Sequence, residues 1–334
     1  MKKSLSLILM SVMLAAVLSA CGSNNNNGGA ASPSASPSAS PSESASPSAS
    51  APAAPSEVTI KHALGETPVK INPEKVVVFD FGTLDTLTKL GIDVIALPKS
   101  NIPGNLSQYE DAKYEDAGTL FEPDFEKLNK LKPDVIFIGG RTSEAYDELS
   151  KIAPTIQMSL DTSNFAESFA HNVNVIGQVF GKEAEVAAEL EAYNASVAEL
   201  KEKATGAGKA LIVLTTGGKI SAYGPGSRFG SIHDVFGFEP VDTTLKIETH
   251  GSSISNEYIV EKNPDILFVV DRDAVVSGEG ASPAKEVIEN DLVKKTNAYK
   301  NGKIVYLDPN FWYLTNGGLN AEIEMVKHAA QAVQ

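Results

Sequence analysis

Cysteine is almost absent from this chain of 334 residues, in which Cys21 is the only one. No disulfide framework can form within the chain, and no free cysteine remains in its body to act as a nucleophile. The five histidines are scattered without the spacing of metal ligands, and the chain has no Gly-x-Ser-x-Gly motif. The sequence therefore shows no catalytic motif. A surface hydrolase remains an alternative, but no residue can be named as its catalytic group.

Positive charge is also scarce, because 28 lysines and arginines face 42 acidic residues and leave a net charge of -14. Loss of an N-terminal signal with its two lysines would make the charge about -16. A chain this acidic is a poor partner for nucleic acid or for an anionic lipid surface. Any cationic pocket must therefore be built locally, against a negative background.

Arginine is the scarcest charged residue, present only as Arg141, Arg228 and Arg272. Each follows a predicted strand or lies in a glycine-rich loop. The guanidinium is a planar, permanently charged fork of donors that suits oxyanions. This restricted placement predicts a site for an anionic ligand. The alternative is three surface ion pairs, for which Asp271 and Asp273 flank Arg272.

The N-terminus has the pattern of an export signal. Residues 1–20 begin with two lysines and continue with an apolar run that is too short to span a membrane comfortably. The tetrad Leu-Ser-Ala-Cys21 resembles a bacterial lipobox, which implies a lipoprotein signal peptide and a diacylglycerol on the thiol of Cys21. An ordinary secretory signal with a chance cysteine is the alternative.

Residues 21–56 predict a disordered linker, since they are mostly Asn, Gly, Ala, Ser and Pro. A chain of this composition and length has a reach of roughly 30 to 35 Å. Such a linker suits a protein that is lipid-anchored to the outer face of the cell membrane of a Gram-positive bacterium.

One pattern occurs twice in the chain. Residues 126–141, EKLNKLKPDVIFIGGR, are followed 131 positions later by residues 257–272, EYIVEKNPDILFVVDR. Each copy predicts a short amphipathic helix, a Pro-Asp turn, a buried strand and an arginine. Two copies at this distance indicate two similar α/β lobes. If helix and strand are antiparallel, the first glutamate and the last arginine of each copy share one sheet edge, where ligands of open α/β sheets bind.

The remaining elements predict an α/β fold with two mostly parallel sheets and a ligand cleft between the lobes. A hairpin at 58–71 precedes alternating strands and helices, a pattern that favours parallel sheets covered on both faces. Helices are predicted at 165–180 and 183–203. We expect an N-terminal α/β lobe at 57–181, a stiff joining helix at 182–207 and a C-terminal α/β lobe at 208–334.

The chain after Glu57 resembles the class III substrate-binding lipoproteins of ABC importers for iron-siderophores, haem and cobalamin. It is most similar to receptors for catecholate siderophores such as petrobactin. The motifs that carry this likeness are Phe-Asp-Phe-Gly-Thr-Leu-Asp at 79–85, Gly-Gly-Arg141, Gly-Pro-Gly-Ser-Arg228-Phe-Gly and Asp-Arg272-Asp. The resemblance implies a binding protein rather than an enzyme. It also implies an anionic ferric siderophore as ligand and an ABC permease, with two membrane subunits and an ATPase, as partner.

Three arginines that face the cleft are the mark of that subgroup, so Arg141, Arg228 and Arg272 are expected to bind the ligand. The oxygens of a catecholate-type ferric complex are already bound to iron, and the net charge of the complex is near -3. The protein can therefore offer only donors and positive charge. Trp312, Tyr313 and Phe229 are candidate aromatic contacts, with a place in the core as the alternative.

Some related receptors bind iron directly through a histidine and a tyrosine when the siderophore supplies only four donor atoms. The resemblance suggests His250 and Tyr313 for this role. The alternatives are that Trp312 or Phe311 takes the place expected for Tyr313, and that His250 is a solvated loop histidine. We otherwise expect a monomer without a cofactor, in which iron enters only with the siderophore. Haem and cobalamin remain alternatives, although three arginines exceed the two propionates of haem and cobalamin is less anionic.

Glu126 and Glu257 occupy equivalent positions in the two copies of the repeat. In the family that the chain resembles, the matching glutamates meet arginines of the two permease subunits. The alternative is that each glutamate only favours its helix N-terminus, which contributes about 0.3 to 1 kcal/mol.

Overall fold

The computed structural model describes residues 56–276 and 282–334. The predictions for the signal peptide, for Cys21 and for the linker up to residue 55 lie outside the described residues.

The N-terminal lobe begins with an antiparallel hairpin and continues as a parallel sheet. Its strands are β1 (Glu57–His62), β2 (Gly65–Lys70), β3 (Val76–Phe79), β4 (Ala96–Leu97), β5 (Glu115–Asp116), β6 (Val135–Ile138) and β7 (Thr155–Gln157). β1 pairs with β2, and the other five strands form an all-parallel sheet in the order β5-β4-β3-β6-β7. The strand order therefore changes direction at β3, with β4 and β5 on one side of it and β6 and β7 on the other. Ligands of open α/β sheets bind at such a switch point.

The helices of this lobe alternate with the strands and lead into the second lobe. They are α1 (Phe81–Lys89), α2 (Phe125–Leu131), α3 (Tyr146–Leu149), α4 (Phe165–Phe180) and α5 (Glu183–Ala204). Gly181 ends α4 in the left-handed conformation, with φ of 61°. The predicted pair of long helices, with a break at Gly181, is thus present. α5 has 22 residues, which corresponds to about 33 Å.

The C-terminal lobe has a mixed sheet rather than a purely parallel one. Its strands are β8 (Lys209–Thr216), β9 (Lys219–Tyr223), β10 (Glu239–Pro240), β11 (Ser252–Ile254), β12 (Ile266–Asp271) and β13 (Ile304–Leu307). β8, β12 and β13 are parallel, as the repeat predicts, whereas β9 and β11 extend the other edge in antiparallel pairing. The helices are α6 (Ser231–Asp234), α7 (Asn256–Lys262), α8 (Ala284–Ile288), α9 (Asn297–Lys300) and α10 (Leu319–Ala330).

The last helix, α10, leaves the C-terminal sheet and packs against α1 and α5. The backbone N–H of Leu319 donates to Thr86 Oγ1 at 3.0 Å, and that of Ala321 donates to Asp85 Oδ2 at 2.8 Å. The range predicted as the C-terminal lobe, 208–334, therefore ends in a helix that packs on the N-terminal lobe. Sequence reasoning missed this because the contacts join residues more than 230 positions apart.

Both sheets are covered on both faces, as the alternation of elements predicts. One apolar cluster is continuous from the inner face of the first sheet, through α4 and α5, to the inner face of the second. Two separate clusters cover the outer faces. The two-lobed α/β prediction is confirmed. Among the described residues, no helix combines the length and apolar character needed to cross a membrane.

Candidate ligand-binding site

Arg141 lies in the turn that follows β6, at the switch point of the N-terminal sheet. Gly139 makes this turn possible, because a Cβ at that position would lie 2.3 Å from Asp80 Oδ2. The buried hydroxyl of Thr142 donates to the carbonyl of Leu120 at 2.7 Å and ties the turn to the preceding loop. The Arg141 guanidinium makes no hydrogen bond or ion pair with any described residue. It therefore keeps its donors for a ligand.

Arg228 lies in the glycine-rich loop between β9 and α6. The backbone N–H of Gly226, which has φ of 71°, donates to Asp234 Oδ2 at 2.6 Å and fixes the loop. The Arg228 guanidinium donates to the carbonyl oxygen of Tyr313 at 2.6 Å and lies 4.1 Å from the centroid of that ring. Burial and the nearby charge of Arg141 lower the pKa of Arg228. Its charge is therefore poorly solvated, and a bound anion would stabilise it.

Arg272 begins the turn after β12, which is the position equivalent to that of Arg141 in the repeat. Its Nε donates to the hydroxyl of Tyr313 at 2.9 Å and its Nη1 donates to Thr216 Oγ1 at 3.2 Å. The flanking Asp273 is 4.0 Å from Nη1 but accepts from the backbone of Gly217 at 2.6 Å. Asp271 likewise accepts from backbone N–H groups. The ion-pair alternative for Arg272 is therefore weak.

Tyr313 is the common neighbour of the three arginines. The guanidinium carbons of Arg141 and Arg272 lie 5.9 and 5.6 Å from its ring centroid, beside that of Arg228. Burial alone would raise the pKa of Tyr313, but the hydrogen bond from Arg272 and the three positive charges outweigh burial and lower this pKa. The group of Arg141, Arg228, Arg272 and Tyr313, called here the arginine cluster, joins both lobes at one point.

The arginine cluster opens into a cavity of about 730 Å³ between the lobes. This volume is within the range of roughly 300 to 1,000 Å³ that small-molecule sites occupy. His250 is exposed and lines the cavity from the C-terminal lobe. The residues that line the cavity outside the arginine cluster are Phe121, Gly140, Leu160, Thr162, Ile247, Glu248, Thr249 and His250.

The two other predicted aromatic contacts are not in the cavity, and this part of the prediction is wrong. Trp312 is fully buried and packs edge-on against Phe236. Phe229 is also fully buried and packs edge-on against Tyr223. Both side chains belong to the continuous core, because burial of a large aromatic ring away from water is favourable. Neither side chain can contact a ligand in this arrangement.

Sequence reasoning predicted only His250 among the cavity residues outside the arginine cluster and missed the others, among them Phe121 and Ile247; it also missed Thr216, which accepts a hydrogen bond from Arg272. Thr216 ends β8, so its place at the carboxyl edge of a predicted strand was a usable signal. Phe121 and Ile247 lie in loops without a periodic pattern, and no sequence signal marks them.

Glu126 and Glu257 lie in the first turns of α2 and α7, each of which precedes the repeat strand of its lobe. Both side chains are exposed. Glu126 pairs with Lys130 on the same helix, whereas Asp124 is the residue that caps α2. A hydrogen bond with Ser255 lowers the pKa of Glu257. Neither glutamate contacts the arginine cluster.

The described part of the chain contains no group of three or more His, Cys, Asp or Glu side chains that could hold a metal ion. A receptor for a free metal ion would need such a group of ligands. The cavity instead offers three guanidiniums, one phenol and one imidazole, with Glu248 as the one carboxylate in its lining, and this excess of positive charge suits an anionic complex that brings its own donor atoms.

Two α/β lobes with a cationic cavity between them define a ligand-binding protein. The sequence profile of the family described as "Periplasmic binding protein" matches residues 76–311. The chain belongs to this family, which confirms the resemblance inferred from the sequence.

Its relatives include the petrobactin-binding protein YclQ of Bacillus subtilis, which is 49% identical over 83% of this chain and 89% of its own length. The crystal structure of YclQ superposes with a TM-score of 0.80, over 83% of this chain and 99% of that one.

The ferric-anguibactin-binding protein FatB of Vibrio anguillarum is 33% identical, over 79% of this chain and 84% of its own length. The structure of the catecholate-siderophore binding protein VctP of Vibrio cholerae is 41% identical with a TM-score of 0.79, over 82% of this chain and 99% of that one. These relatives are binding proteins, in agreement with the prediction that the chain is not an enzyme.

Proposed function

We propose that this protein captures an anionic ferric siderophore of the catecholate or mixed catecholate-citrate class, similar to petrobactin, and delivers it to an ABC permease. The observation that carries the proposal is the arginine cluster, in which the chain's only three arginines meet in one cavity. The names of YclQ and VctP support this ligand class.

The charges of site and ligand match in number. A ferric complex with three catecholate-type oxygen pairs carries about three negative charges, and three guanidiniums oppose them. Each charge-assisted hydrogen bond contributes roughly 1.5 to 3 kcal/mol, and a nanomolar dissociation constant corresponds to about 12 kcal/mol. Three such bonds supply a large part of that free energy, and contacts to the organic part of the siderophore supply the rest.

Tyr313 and His250 are proposed as direct iron ligands for siderophores that leave two positions of the iron open. Phenolate is the form that binds iron(III), and the arginine cluster favours it by lowering the pKa of Tyr313. His250 lines the same cavity from the same lobe. Iron is cargo in this account, and no resident cofactor is required.

Delivery needs a position at the membrane and a docking surface. We propose that the mature protein is a monomer held by a lipid on Cys21 at the outer face of the cell membrane, with the linker as tether. Exposed Glu126 and Glu257, one on each lobe, would meet the two membrane subunits of a permease that is driven by an ATPase. The names of further relatives, which include a siderophore-binding lipoprotein, support this placement.

A titration followed by protein fluorescence and by the absorption spectrum separates the ligand classes. Purified protein is titrated with ferric petrobactin, haem and cobalamin. We expect nanomolar affinity for ferric petrobactin, with retention of its charge-transfer band, and at least a hundredfold weaker binding of the other two. Tight binding of haem with a shifted Soret band, and none of ferric petrobactin, would replace the proposal by haem capture.

A further inference from the structure

The two most exposed large apolar side chains among the described residues are Phe121 and Ile247, at 67% and 65% exposure. The next is Leu64, at 41%. Single exposed apolar residues are ordinary on protein surfaces. These two, however, line the same cavity, and they come from opposite lobes.

Phe121 is held at the tip of a tight turn. The hydroxyl of Thr119 accepts hydrogen bonds from the backbone N–H groups of Phe121 and Glu122, at 3.2 and 2.9 Å. The hydroxyl of Thr142 donates to the carbonyl of Leu120, the residue before Phe121. Because Thr142 directly follows Arg141, the turn that carries Phe121 is fixed to the turn that carries an arginine.

Ile247 has an equivalent support in the other lobe. A Cβ added at Gly226 would lie 3.0 Å from Ile247 Cδ1, and one added at Gly224 would lie 3.2 Å from Leu245 Cβ. The segment with Leu245 and Ile247 therefore packs on the glycine-rich loop that carries Arg228. Any larger residue at Gly226 would push Ile247 away, in addition to the backbone strain at its positive φ.

We infer that Phe121 and Ile247 form an apolar clamp that packs on the aromatic rings of the ligand, while the arginine cluster binds its anionic oxygens. An aromatic ring contacts rings well in offset or edge-on geometry, and a branched aliphatic chain covers the opposite face. Exposed apolar surface of this kind gains stabilisation when a ligand removes it from water. The inference rests on the proposed function and assigns the contacts with the catechol rings to one residue of each lobe.

The test is a titration with ferric petrobactin of five variants: Phe121→Ser, Phe121→Tyr, Ile247→Ser, the double serine variant and Leu64→Ser. Each single serine variant at the clamp should bind about tenfold more weakly, and the double variant about a hundredfold, mostly through faster dissociation. Phe121→Tyr keeps the ring and should stay within about twofold of the wild type. Leu64→Ser is the matched exposed control and should bind like the wild type.

Thermal unfolding without ligand distinguishes contact from folding effects. Because both clamp residues are exposed, the melting temperature of the free protein should stay within about 2 °C in every variant. Wild-type affinity of the double serine variant would overturn the inference, as would an equal loss in the Leu64 control or in Phe121→Tyr. If ferric petrobactin does not bind even to the wild-type protein, the proposed function fails instead. If it binds the wild type and the double serine variant with equal affinity, the clamp alone fails.

Discussion

The two lobes contribute unequally to one cavity, although the sequence repeat makes them equivalent in outline. Arg141 of the N-terminal lobe makes no hydrogen bond or ion pair with the described residues, whereas Arg228 and Arg272 of the C-terminal lobe are hydrogen-bonded to Tyr313. The C-terminal sheet is also extended by antiparallel strands, and the segment before β11 carries His250. One lobe therefore carries two guanidiniums that hydrogen bonds already hold in place, and the other adds one guanidinium without such bonds among the described residues.

This difference indicates a division of roles between two copies of one unit. A fixed arginine loses little side-chain freedom when the ligand binds, because its geometry is already set. Arg141 has no such hydrogen bonds among the described residues, so we expect a larger entropic cost when a ligand fixes it. Each repeat unit also carries one exposed glutamate in the first turn of its helix, and we propose that these two glutamates meet the two membrane subunits of a permease.

The largest expected effect tests that symmetry. Reversing both charges, with Glu126→Lys and Glu257→Lys, should abolish uptake of radiolabelled ferric siderophore in cells, because like charges would then face the permease arginines. Affinity for the siderophore should stay unchanged, since neither glutamate contacts the arginine cluster. The control is Glu191→Lys with Glu202→Lys, which reverses two exposed charges on α5. Normal uptake by the first double variant would end the docking proposal.

The second prediction measures the asymmetry inside the cavity. Arg228→Ala and Arg272→Ala should weaken binding of ferric petrobactin by up to about a hundredfold, and Arg141→Ala by about tenfold. Lysine at each position should restore binding only in part, because it lacks the planar fork of donors. Fluorescence titration provides the affinities, with exposed Lys300→Ala as control. Equal losses at all three arginines would remove the distinction between the lobes.

The third prediction concerns direct iron ligation. His250→Ala should weaken binding of a tetradentate bis-catecholate ferric complex by roughly tenfold and hardly change binding of a hexadentate one, whose iron has no open position. Tyr313→Phe should shift the charge-transfer band of the tetradentate complex. Equal effects of His250→Ala on both complexes, or an unchanged band in the Tyr313 variant, would contradict ligation by this pair.

The last prediction concerns stability rather than binding and lies away from the cavity, where α10 packs on the N-terminal lobe. Burial, with a further contribution from the charge of nearby Asp85, raises the pKa of Glu322 from its ordinary value of 4.5 to about 8. The folded protein then holds a proton that the unfolded chain releases, so this carboxyl favours folding below pH 4.5 and loses that contribution as the pH rises towards 8.

Glu322→Gln should remove this dependence on pH. Between roughly pH 5 and pH 8, the free energy of unfolding should decrease with rising pH more steeply in the wild type than in the variant. The two slopes should differ by about 1.4 kcal/mol per pH unit. Urea denaturation at several pH values measures the slopes. Glu324→Gln on the same helix, where the carboxylate pairs with Lys327 near the surface, should behave like the wild type. Parallel slopes for wild type and Glu322→Gln would refute the assignment.

Much of this arrangement could be predicted from local sequence. The repeat predicted a helix, a strand and an arginine in each lobe, and Arg141 and Arg272 do follow β6 and β12. The direction in which side chains point in irregular segments could not be predicted from the sequence. Three consecutive aromatics occupy residues 311–313, and only the turn at Asn310–Leu314 decides that Tyr313 faces the arginines while Trp312 enters the core. The contact of α10 with α1 is likewise set by tertiary packing, which no local pattern records.

The most direct test of the account is a crystal structure of the protein with ferric petrobactin. We expect the iron complex between the lobes, with guanidinium nitrogens of Arg141, Arg228 and Arg272 at about 2.7 to 3.2 Å from its oxygens. A complex seated elsewhere, or one that leaves the guanidiniums of Arg228 and Arg272 bonded only to Tyr313 and Thr216, would contradict the central claim that the arginine cluster is the anion site.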